Sequence, residues 1–218
     1  VYENSFRTVN IALANEMKSV CDALGIDVHE MIAAAATKPF GFMPFYPGPG
    51  IGGDCIPVSP VLLTARANEL GASLPIVDHA IQSSRKVPAG VVANAENAAG
   101  GSLAGTEVLL IGVSYKKDVG DLRRSPALDI LDLVESAGAT CDYHDALAPV
   151  LRAESHRSER HSVTLSDDML AGYDLAIVAT DHSDTDYVSI AKHVPIIVDT
   201  RDVFRKRGIV PAGRLITA

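Results

Sequence analysis

Residues 107–113 read Glu-Val-Leu-Leu-Ile-Gly-Val, a short apolar run that predicts a buried β-strand. Further strands are predicted at 140–143, 175–179 and 196–199, with helical patterns at 126–136 and 146–154. Strands that alternate with helices form βαβ units, in which the strands are parallel and helices cover both faces of the sheet. The later part of the chain therefore has the pattern of an α/β domain.

The residues before this strand follow a different pattern, because their apolar positions recur at helical spacing. A long helix is predicted to end at Gly25, a C-cap residue, and its apolar stripe consists of Phe6, Val9, Leu13, Met17, Val20 and Leu24. Further helices are predicted at 28–36, 60–70 and 75–98, and a proline- and glycine-rich loop at 37–58. Because Gly100-Gly101-Ser102 separates the two patterns, we predict a helical domain over residues 1–99 and a parallel-sheet domain over residues 100–218.

Composition is that of a globular protein, since the 218 residues are 47% apolar and 21% charged, enough for a sizeable core. The formal net charge of −8 disfavours nonspecific binding to nucleic acid or to an anionic membrane. No apolar run approaches the roughly 20 residues of a membrane span, and no signal-peptide pattern opens the chain. We expect neither nucleic-acid nor membrane partners. Helical periodicity already includes Val1, so we expect the later part of a longer protein.

The three cysteines, Cys21, Cys55 and Cys141, lie far apart and form no Cys-x-x-Cys pair. Such a set argues against a disulfide framework and for a reducing compartment, so we expect the cytoplasm. The histidines show no metal-ligand spacing: His156 and His161 are five residues apart, in a charged stretch typical of solvated surface. We predict no metal site.

Cys55 lies in the most unusual stretch of the chain, Pro-Gly-Pro-Gly-Ile-Gly-Gly-Asp-Cys-Ile at residues 47–56. Glycines allow positive φ angles and close approach to the backbone, so this loop is expected to present the thiol to a ligand. We interpret Cys55 as a catalytic nucleophile; the alternative is a small packing residue, the commoner fate of a lone cysteine. A thiolate needs nearby positive charge or a helix dipole, which the carboxylate of Asp54 opposes unless it points away or is neutralised.

Polar and aromatic residues of the first domain give further candidates. Asn4 and Asn15 are eleven residues apart and share a helical face, where asparagine is unfavourable unless it is used or solvated. Four aromatic residues precede the glycines and form either a satellite core or, as we favour, the wall of a ligand pocket: Phe40, Phe42, Phe45 and Tyr46.

Basic residues of the second domain follow predicted strands. Lys116 and Arg123 come after the first strand, and Arg201 comes after the last. Ligands of parallel sheets bind beyond the carboxyl ends of the strands. We therefore expect these three side chains to converge on one edge, where they would suit phosphate or a sugar nucleotide.

Three stretches together resemble the nucleotide-sugar 6-dehydrogenases, the family of UDP-glucose, UDP-N-acetylhexosamine and GDP-mannose dehydrogenases. They are Glu-Asn-Ser-Phe-Arg-Thr-Val-Asn-Ile-Ala-Leu at 3–13, the region 39–60 around Gly-Gly-Asp-Cys-Ile-Pro, and residues 112–126. Residues 38–50 look most like the N-acetylhexosamine branch. The resemblance implies a helical central dimerisation region followed by a Rossmann-like, parallel-sheet UDP-binding domain. The family's N-terminal NAD-binding domain has no counterpart here, because no Gly-x-Gly-x-x-Gly follows a predicted strand.

The resemblance also implies a reaction: two NAD molecules oxidise the sugar 6-hydroxyl to a carboxylate through a thiohemiacetal and a thioester on Cys55. It assigns Asn4 to the oxyanion or the catalytic water and Arg123 to NAD. It assigns Lys116 and Arg201 to the UDP-sugar, with a homodimer formed through the first helix. The sugar site would be lined by Phe45, Tyr46, Gly50, Gly52 and Gly53.

Two departures from the family pattern matter. The family's catalytic lysine, four residues before the Asn4 position, would immediately precede Val1. The family's aspartate four residues after the cysteine, which assists hydrolysis, is Ser59 here. We hypothesise that Asp54 contributes to hydrolysis instead, and we expect these residues alone to be inactive. The alternative is a noncatalytic module for nucleotide-sugar binding or dimerisation.

Overall fold

The first half of the molecule is helical. The computed structural model describes residues 1–153 and 157–217, and contacts within the chain divide it into two compact units, Val1–Val87 and Pro88–Ala218. The helices of the first half are α1 Tyr2–Leu24, α2 Val28–Ala36, α3 Ser59–Glu69 and α4 Pro75–Ala98. These four helices confirm the sequence prediction, with α3 displaced by a single residue.

A parallel sheet forms the centre of the second unit. In chain order its elements are β1 Glu107–Ile111, α5 Pro126–Ser136, β2 Thr140–His144, β3 Val150–Leu151, β4 Arg160–His161, α6 Asp167–Leu170, β5 Leu175–Val178, α7 Tyr187–His193, β6 Ile196–Asp199, α8 Val203–Arg207 and β7 Arg214–Thr217. The sheet order is β2-β1-β5-β6-β7, and all neighbouring strands pair in parallel. β3 and β4 form a separate antiparallel pair. The predicted α/β fold class is confirmed.

The alternating side chains of β1 explain why helices cover both faces of this sheet. Val108 and Leu110 pack with α5 and the C-terminal half of α4, whereas Leu109 and Ile111 pack with α6, α7 and α8. All four side chains are fully buried. A strand buried on both faces has apolar residues at consecutive positions, which is the pattern that residues 107–113 present.

In sequence, the division between the two compact units falls inside α4, between Val87 and Pro88. Val91, Val92 and Ala95 of α4 are buried in the core of the second unit, so this half of the helix belongs with the sheet. Gly100-Gly101 then ends the helix, with positive φ angles of 96° and 107°. The domain limits 1–99 and 100–218 stay a prediction.

The helix predicted at 146–154 is wrong for the residues that the structure describes. Instead, Asp145 Oδ1 accepts hydrogen bonds from the amides of Leu147 and Ala148 at 2.9 and 3.1 Å, which makes a turn. An aspartate side chain that binds the following amides competes with helix formation. The short strand β3 follows this turn. Glu154, the end of the predicted helix, and His156 lie outside the described residues.

Within the described parts of the chain, no helix has both the length and the apolar character that crossing a bilayer demands.

Candidate functional site

The segment that carries Cys55, residues 37–58, connects α2 to α3 and is held against α1. The Gly48 amide donates a hydrogen bond to Asn15 Oδ1 at 3.1 Å. The buried Thr8 hydroxyl lies 3.2 Å from the carbonyl oxygen of Ile56. α1 therefore contacts the segment both before and after its run of glycines.

A third contact from α1 reaches the first residue of α3. Asn4 Nδ2 donates a hydrogen bond to Ser59 Oγ at 3.0 Å. Asn4, Thr8 and Asn15 lie on one side of the helix, because spacings of four and eleven residues return to the same face. We call these three residues the polar face of α1. The sequence analysis noticed the two asparagines but missed Thr8, which the spacing of four residues could have indicated.

Cys55 is exposed, whereas Cys21 and Cys141 are buried, and all three are free thiols. Burial raises the pKa of the Cys141 thiol to about 12, so this group is inert as a nucleophile. The Cys55 carbonyl accepts a hydrogen bond from the Ser59 amide at 3.0 Å, which places Cys55 directly before the first turn of α3. Asp54 is half-buried beside it and has an interaction partner of its own. The reading of Cys55 as a buried packing residue does not fit this exposure.

The glycines before Cys55 are required by the backbone. Gly50 and Gly53 have φ angles of 131° and 84°, which side chains with a Cβ rarely adopt. Gly48, Gly50 and Gly53 also have the Gly-x-Gly-x-x-Gly spacing of a dinucleotide-binding loop. No strand precedes them in the described segment between α2 and α3, so the structural context of that motif is missing.

Phe45 and Tyr46 pack on the helices of the first unit. Phe45 lies edge-on to Phe6 of α1, with ring centroids 5.7 Å apart. Tyr46 stacks on His29 of α2 at 6.0 Å. Phe40 is 84% exposed. The expected contact of Phe45, Tyr46, Gly50, Gly52 and Gly53 with a sugar stays a prediction.

In the second unit, Asp145 accepts several hydrogen bonds at the carboxyl ends of the strands. It is fully buried and follows β2. Burial alone would raise the pKa of Asp145, but hydrogen bonds to the carboxylate outweigh it and hold the pKa well below its ordinary value. The donors to Asp145 Oδ2 are the Val113 amide at 3.0 Å, the Ser114 amide at 2.9 Å, the Ser114 hydroxyl at 2.7 Å and His182 Nε2 at 3.2 Å.

Neither Asp145 nor His182 was predicted from the sequence. Each follows the carboxyl end of a strand, β2 and β5 respectively, which is the position that favours functional residues in a parallel sheet. That rule was applied to the basic residues and could have found this pair as well.

Lys116 and Arg123 lie beyond the carboxyl end of β1, and Arg201 lies beyond that of β6, whereas their expected convergence on one ligand stays a prediction. Lys116 is exposed in the turn after β1. Arg201 is half-buried, and its Nε donates to the Ala179 carbonyl at 2.8 Å. Arg123 binds the Asp121 carboxylate with two nitrogens, at 3.0 and 2.6 Å, and lowers the pKa of that carboxyl to about 2.

Arg123 also lines a pocket of about 490 Å³ beside the N-terminus of α5, together with Arg124, Arg152 and Arg157. Arg157 is itself paired with Asp132 at 2.6 Å. The lining does not include Lys116 or Arg201, so this pocket does not join the three predicted residues in one site. A basic pocket at a helix N-terminus suits an anionic group.

Over residues 1–153 and 157–217, no three or more His, Cys, Asp or Glu side chains are grouped so that they could hold a metal ion.

Comparison with known proteins matches both parts of the chain to one family. Residues 1–86 match the central domain of the UDP-glucose/GDP-mannose dehydrogenase family, and residues 109–206 match its UDP binding domain. The UDP-N-acetyl-D-mannosamine dehydrogenase of Escherichia coli strain K12 is 31% identical over 220 residues, which cover 93% of this chain and 49% of that protein.

Solved structures give the same result. The UDP-D-ManNAc dehydrogenase from Pyrococcus horikoshii aligns with a TM-score of 0.78 and 28% identity, over 98% of this chain and 50% of that one. A UDP-glucose dehydrogenase from Pyrobaculum islandicum, 23% identical over 99% of this chain and 49% of that one, shares the fold with a TM-score of 0.81. This chain thus spans about half the length of the relatives that it matches. Because its two regions match the central and UDP-binding domains of one family, the chain belongs to the UDP-glucose/GDP-mannose dehydrogenase family.

Proposed function

We propose that this chain forms the central and nucleotide-sugar-binding parts of an NAD-dependent UDP-N-acetylhexosamine 6-dehydrogenase. The main support is the exposed thiol of Cys55, on a glycine-rich segment that the polar face of α1 holds in place. The Escherichia coli relative is a UDP-N-acetyl-D-mannosamine dehydrogenase, which favours an N-acetylhexosamine as the sugar. The free thiols fit the cytoplasm as the compartment.

Cys55 is the nucleophile in this proposal. Its sulfur attacks the carbon of a sugar 6-aldehyde, and the carbonyl oxygen takes up a proton, which gives a thiohemiacetal. Asn4 Nδ2 carries two N–H groups, of which one binds Ser59 Oγ. We assign the other to the substrate oxygen. Water cleaves the later thioester, and we assign Asp54 to activate that water because Ser59 cannot act as a carboxylate base.

NAD, when bound, supplies the hydride acceptor for both oxidations. Arg123 fits a pyrophosphate because its guanidinium presents several N–H donors in one plane, and it is exposed. Among the described residues, Arg123 is the one that we assign to NAD binding. The glycines near Cys55 do not follow a strand, as the glycines of a dinucleotide-binding loop would. We therefore propose that these 218 residues alone bind the sugar nucleotide without oxidising it.

An aldehyde analogue tests this function without any oxidation step. A UDP-hexosamine with a 6-aldehyde should protect Cys55 from iodoacetamide more strongly than the parent alcohol does at equal occupancy, because only the aldehyde bonds to sulfur. Free UDP should compete with both. Alkylation sites are read by mass spectrometry, with denatured protein giving the intrinsic rate of Cys55. Asp54→Asn should protect Cys55 as well as the wild type does, because Asp54 is assigned to the later hydrolysis and not to the attack of sulfur on the aldehyde.

Two outcomes count against the proposal. Equal protection by aldehyde and alcohol would make the chain a noncatalytic nucleotide-sugar-binding module. If free UDP does not reduce the protection of Cys55, the nucleotide does not contribute to binding at this site.

We also propose a homodimer formed through α1. Apolar residues on the side opposite its polar face are exposed, with Leu13 at 53%, Val20 at 48% and Leu24 at 67%. Several exposed apolar side chains on one side of a helix favour an interface there. Leu13→Lys should therefore shift analytical sedimentation towards the monomer. Leu62→Lys, at a 64% exposed position on α3, is the matched control and should leave the dimer intact; equal behaviour of both variants contradicts the assignment to α1.

A further inference from the structure

His182 is a buried histidine whose two ring nitrogens are both engaged. Its side chain is 2% exposed. The Asp118 amide donates to Nδ1 at 2.9 Å, and Nε2 lies 3.2 Å from Asp145 Oδ2. A neutral ring with its proton on Nε2 satisfies both contacts, since Nδ1 must accept from Asp118 while Nε2 donates to Asp145. This tautomer is assigned from the hydrogen-bond partners.

Asp118 has a backbone conformation that needs support. Its φ angle is 56°, in the left-handed region that is unfavourable for a residue with a Cβ. The Ser183 amide and hydroxyl both donate to its carboxylate at 2.7 Å. Together with His182, the loop after β5 thus makes three hydrogen bonds to this single residue.

The turn that carries Lys116, residues 114–118, is consequently fixed at both ends. Asp145 binds the amide and hydroxyl of Ser114 at the first end, and His182 binds the Asp118 amide at the last. Because Asp145 and His182 also bind each other, one buried pair spans the turn. Lys116 lies between these two anchors and is exposed.

We propose that Asp145 and His182 are positioning residues that set the conformation of the Lys116 turn for binding the diphosphate of a nucleotide sugar. This inference rests on the proposed function, because the ligand of Lys116 comes from there. His182 acts through its Nδ1, as the acceptor that keeps Asp118 in its left-handed conformation. Neither residue touches the ligand.

Two substitutions test the roles of the two ring nitrogens of His182 separately. His182→Asn places an amide oxygen near the Nδ1 position and can still accept from Asp118, whereas His182→Gln reaches the Nε2 position and can still donate to Asp145. Burial lowers the pKa of His182, but the hydrogen bond and charge of Asp145 raise it overall. The measurements are therefore repeated over a range of pH values above the ordinary histidine pKa of about 6.5, since rising pH favours the neutral ring that the Asp118 contact needs.

Calorimetry with UDP and hydrogen exchange of the Asp118 amide give the two readouts. We expect His182→Gln to weaken UDP binding by about tenfold, the effect of losing one hydrogen bond, and to speed exchange at Asp118. His182→Asn should stay within about threefold of the wild type, although both variants lose some thermal stability. Lys116→Ala removes the proposed ligand-binding side chain itself, so it should give the largest loss of UDP affinity that a change in this turn can cause.

The opposite results overturn the inference. If both variants bind UDP as tightly as the wild type, or lose binding equally in proportion to their melting temperatures, His182 is merely structural. If the wild type does not bind UDP, the proposed function fails and the ligand assigned here fails with it. Unchanged exchange at Asp118 in His182→Gln would refute the positioning step by itself, whatever the ligand.

Discussion

The Cys55 segment and the Lys116 turn are both irregular and both carry a candidate functional group, yet they are fixed differently. Neutral side chains of α1 hold the Cys55 segment, with one contact each to Gly48 and Ile56. A fully buried carboxylate, Asp145, holds the Lys116 turn and accepts several hydrogen bonds at once. Bonds to a buried charge are stronger than neutral ones, and breaking them leaves donors without a partner. A single substitution of an anchoring residue should therefore lower the free energy of unfolding more for the Lys116 turn than for the Cys55 segment.

The largest effect is expected from Asp145→Asn. The substitution removes the charge and turns an amide NH₂ group towards donors such as the Val113 and Ser114 amides. The free energy of unfolding should fall by roughly 3 kcal/mol, as for other broken buried charge networks. Urea unfolding measures this, and Asp184→Asn, at an exposed position in the same unit, should change it by less than about 0.5 kcal/mol.

The pH dependence of the free energy of unfolding tests the role of the Asp145 charge directly. Because the folded-state pKa of Asp145 is lowered, its carboxylate stabilises the fold above the unfolded pKa of about 4. That contribution is lost as the pH falls through the folded-state value. The difference between wild type and Asp145→Asn should thus shrink below about pH 4. A difference that stays constant into strong acid would show that the charge of Asp145 is not responsible.

A smaller effect is expected in the first unit from Thr8→Val. The buried Thr8 hydroxyl is lost at almost constant volume. Its contacts with the Asn4 carbonyl at 3.0 Å and the Ile56 carbonyl at 3.2 Å are lost with it, which costs about 1 kcal/mol. Hydrogen exchange along residues 55–58 should become faster. Thr8→Ser keeps the hydroxyl and should leave that exchange slow. Should Thr8→Val cost more than Asp145→Asn, the contrast between charged and neutral anchoring would be wrong.

The longer helices and the strands β1, β2, β5 and β6 were predictable from local patterns, whereas the short elements β3, β4, α6, α7, α8 and β7 were not predicted. The apolar run of β1 and the helical spacing of α1 each reflect contacts that repeat along the element, so both appear in the sequence. The stripe of α1 marked the helix correctly, but Leu13 and Val20 on that stripe are exposed, while Ser5, Thr8 and Ala12 are buried. Periodicity reveals a helix without stating which of its sides faces the rest of the protein.

The anchoring contacts could not be predicted in the same way. Asp145 and His182 are 37 residues apart, and Asn15 and Gly48 are 33 apart. A single bond between distant residues leaves no repeating signal. The failed helix at 146–154 has the same origin, because the side chain of Asp145 takes the amides of Leu147 and Ala148. Cys55 and Lys116 could be predicted as site residues because glycines and strand ends mark their loops locally.

The two sides of α1 have a consequence for how this chain can vary. Adding one residue to a helix turns everything after it by about 100°. An insertion between Asn4 and Asn15 would swing Asn15 away from Gly48 and carry Val20 and Leu24 out of line with Phe6. A single substitution along α1 affects one side of the helix, whereas a change in its length would disturb both the contacts to the Cys55 segment and the exposed apolar residues of α1.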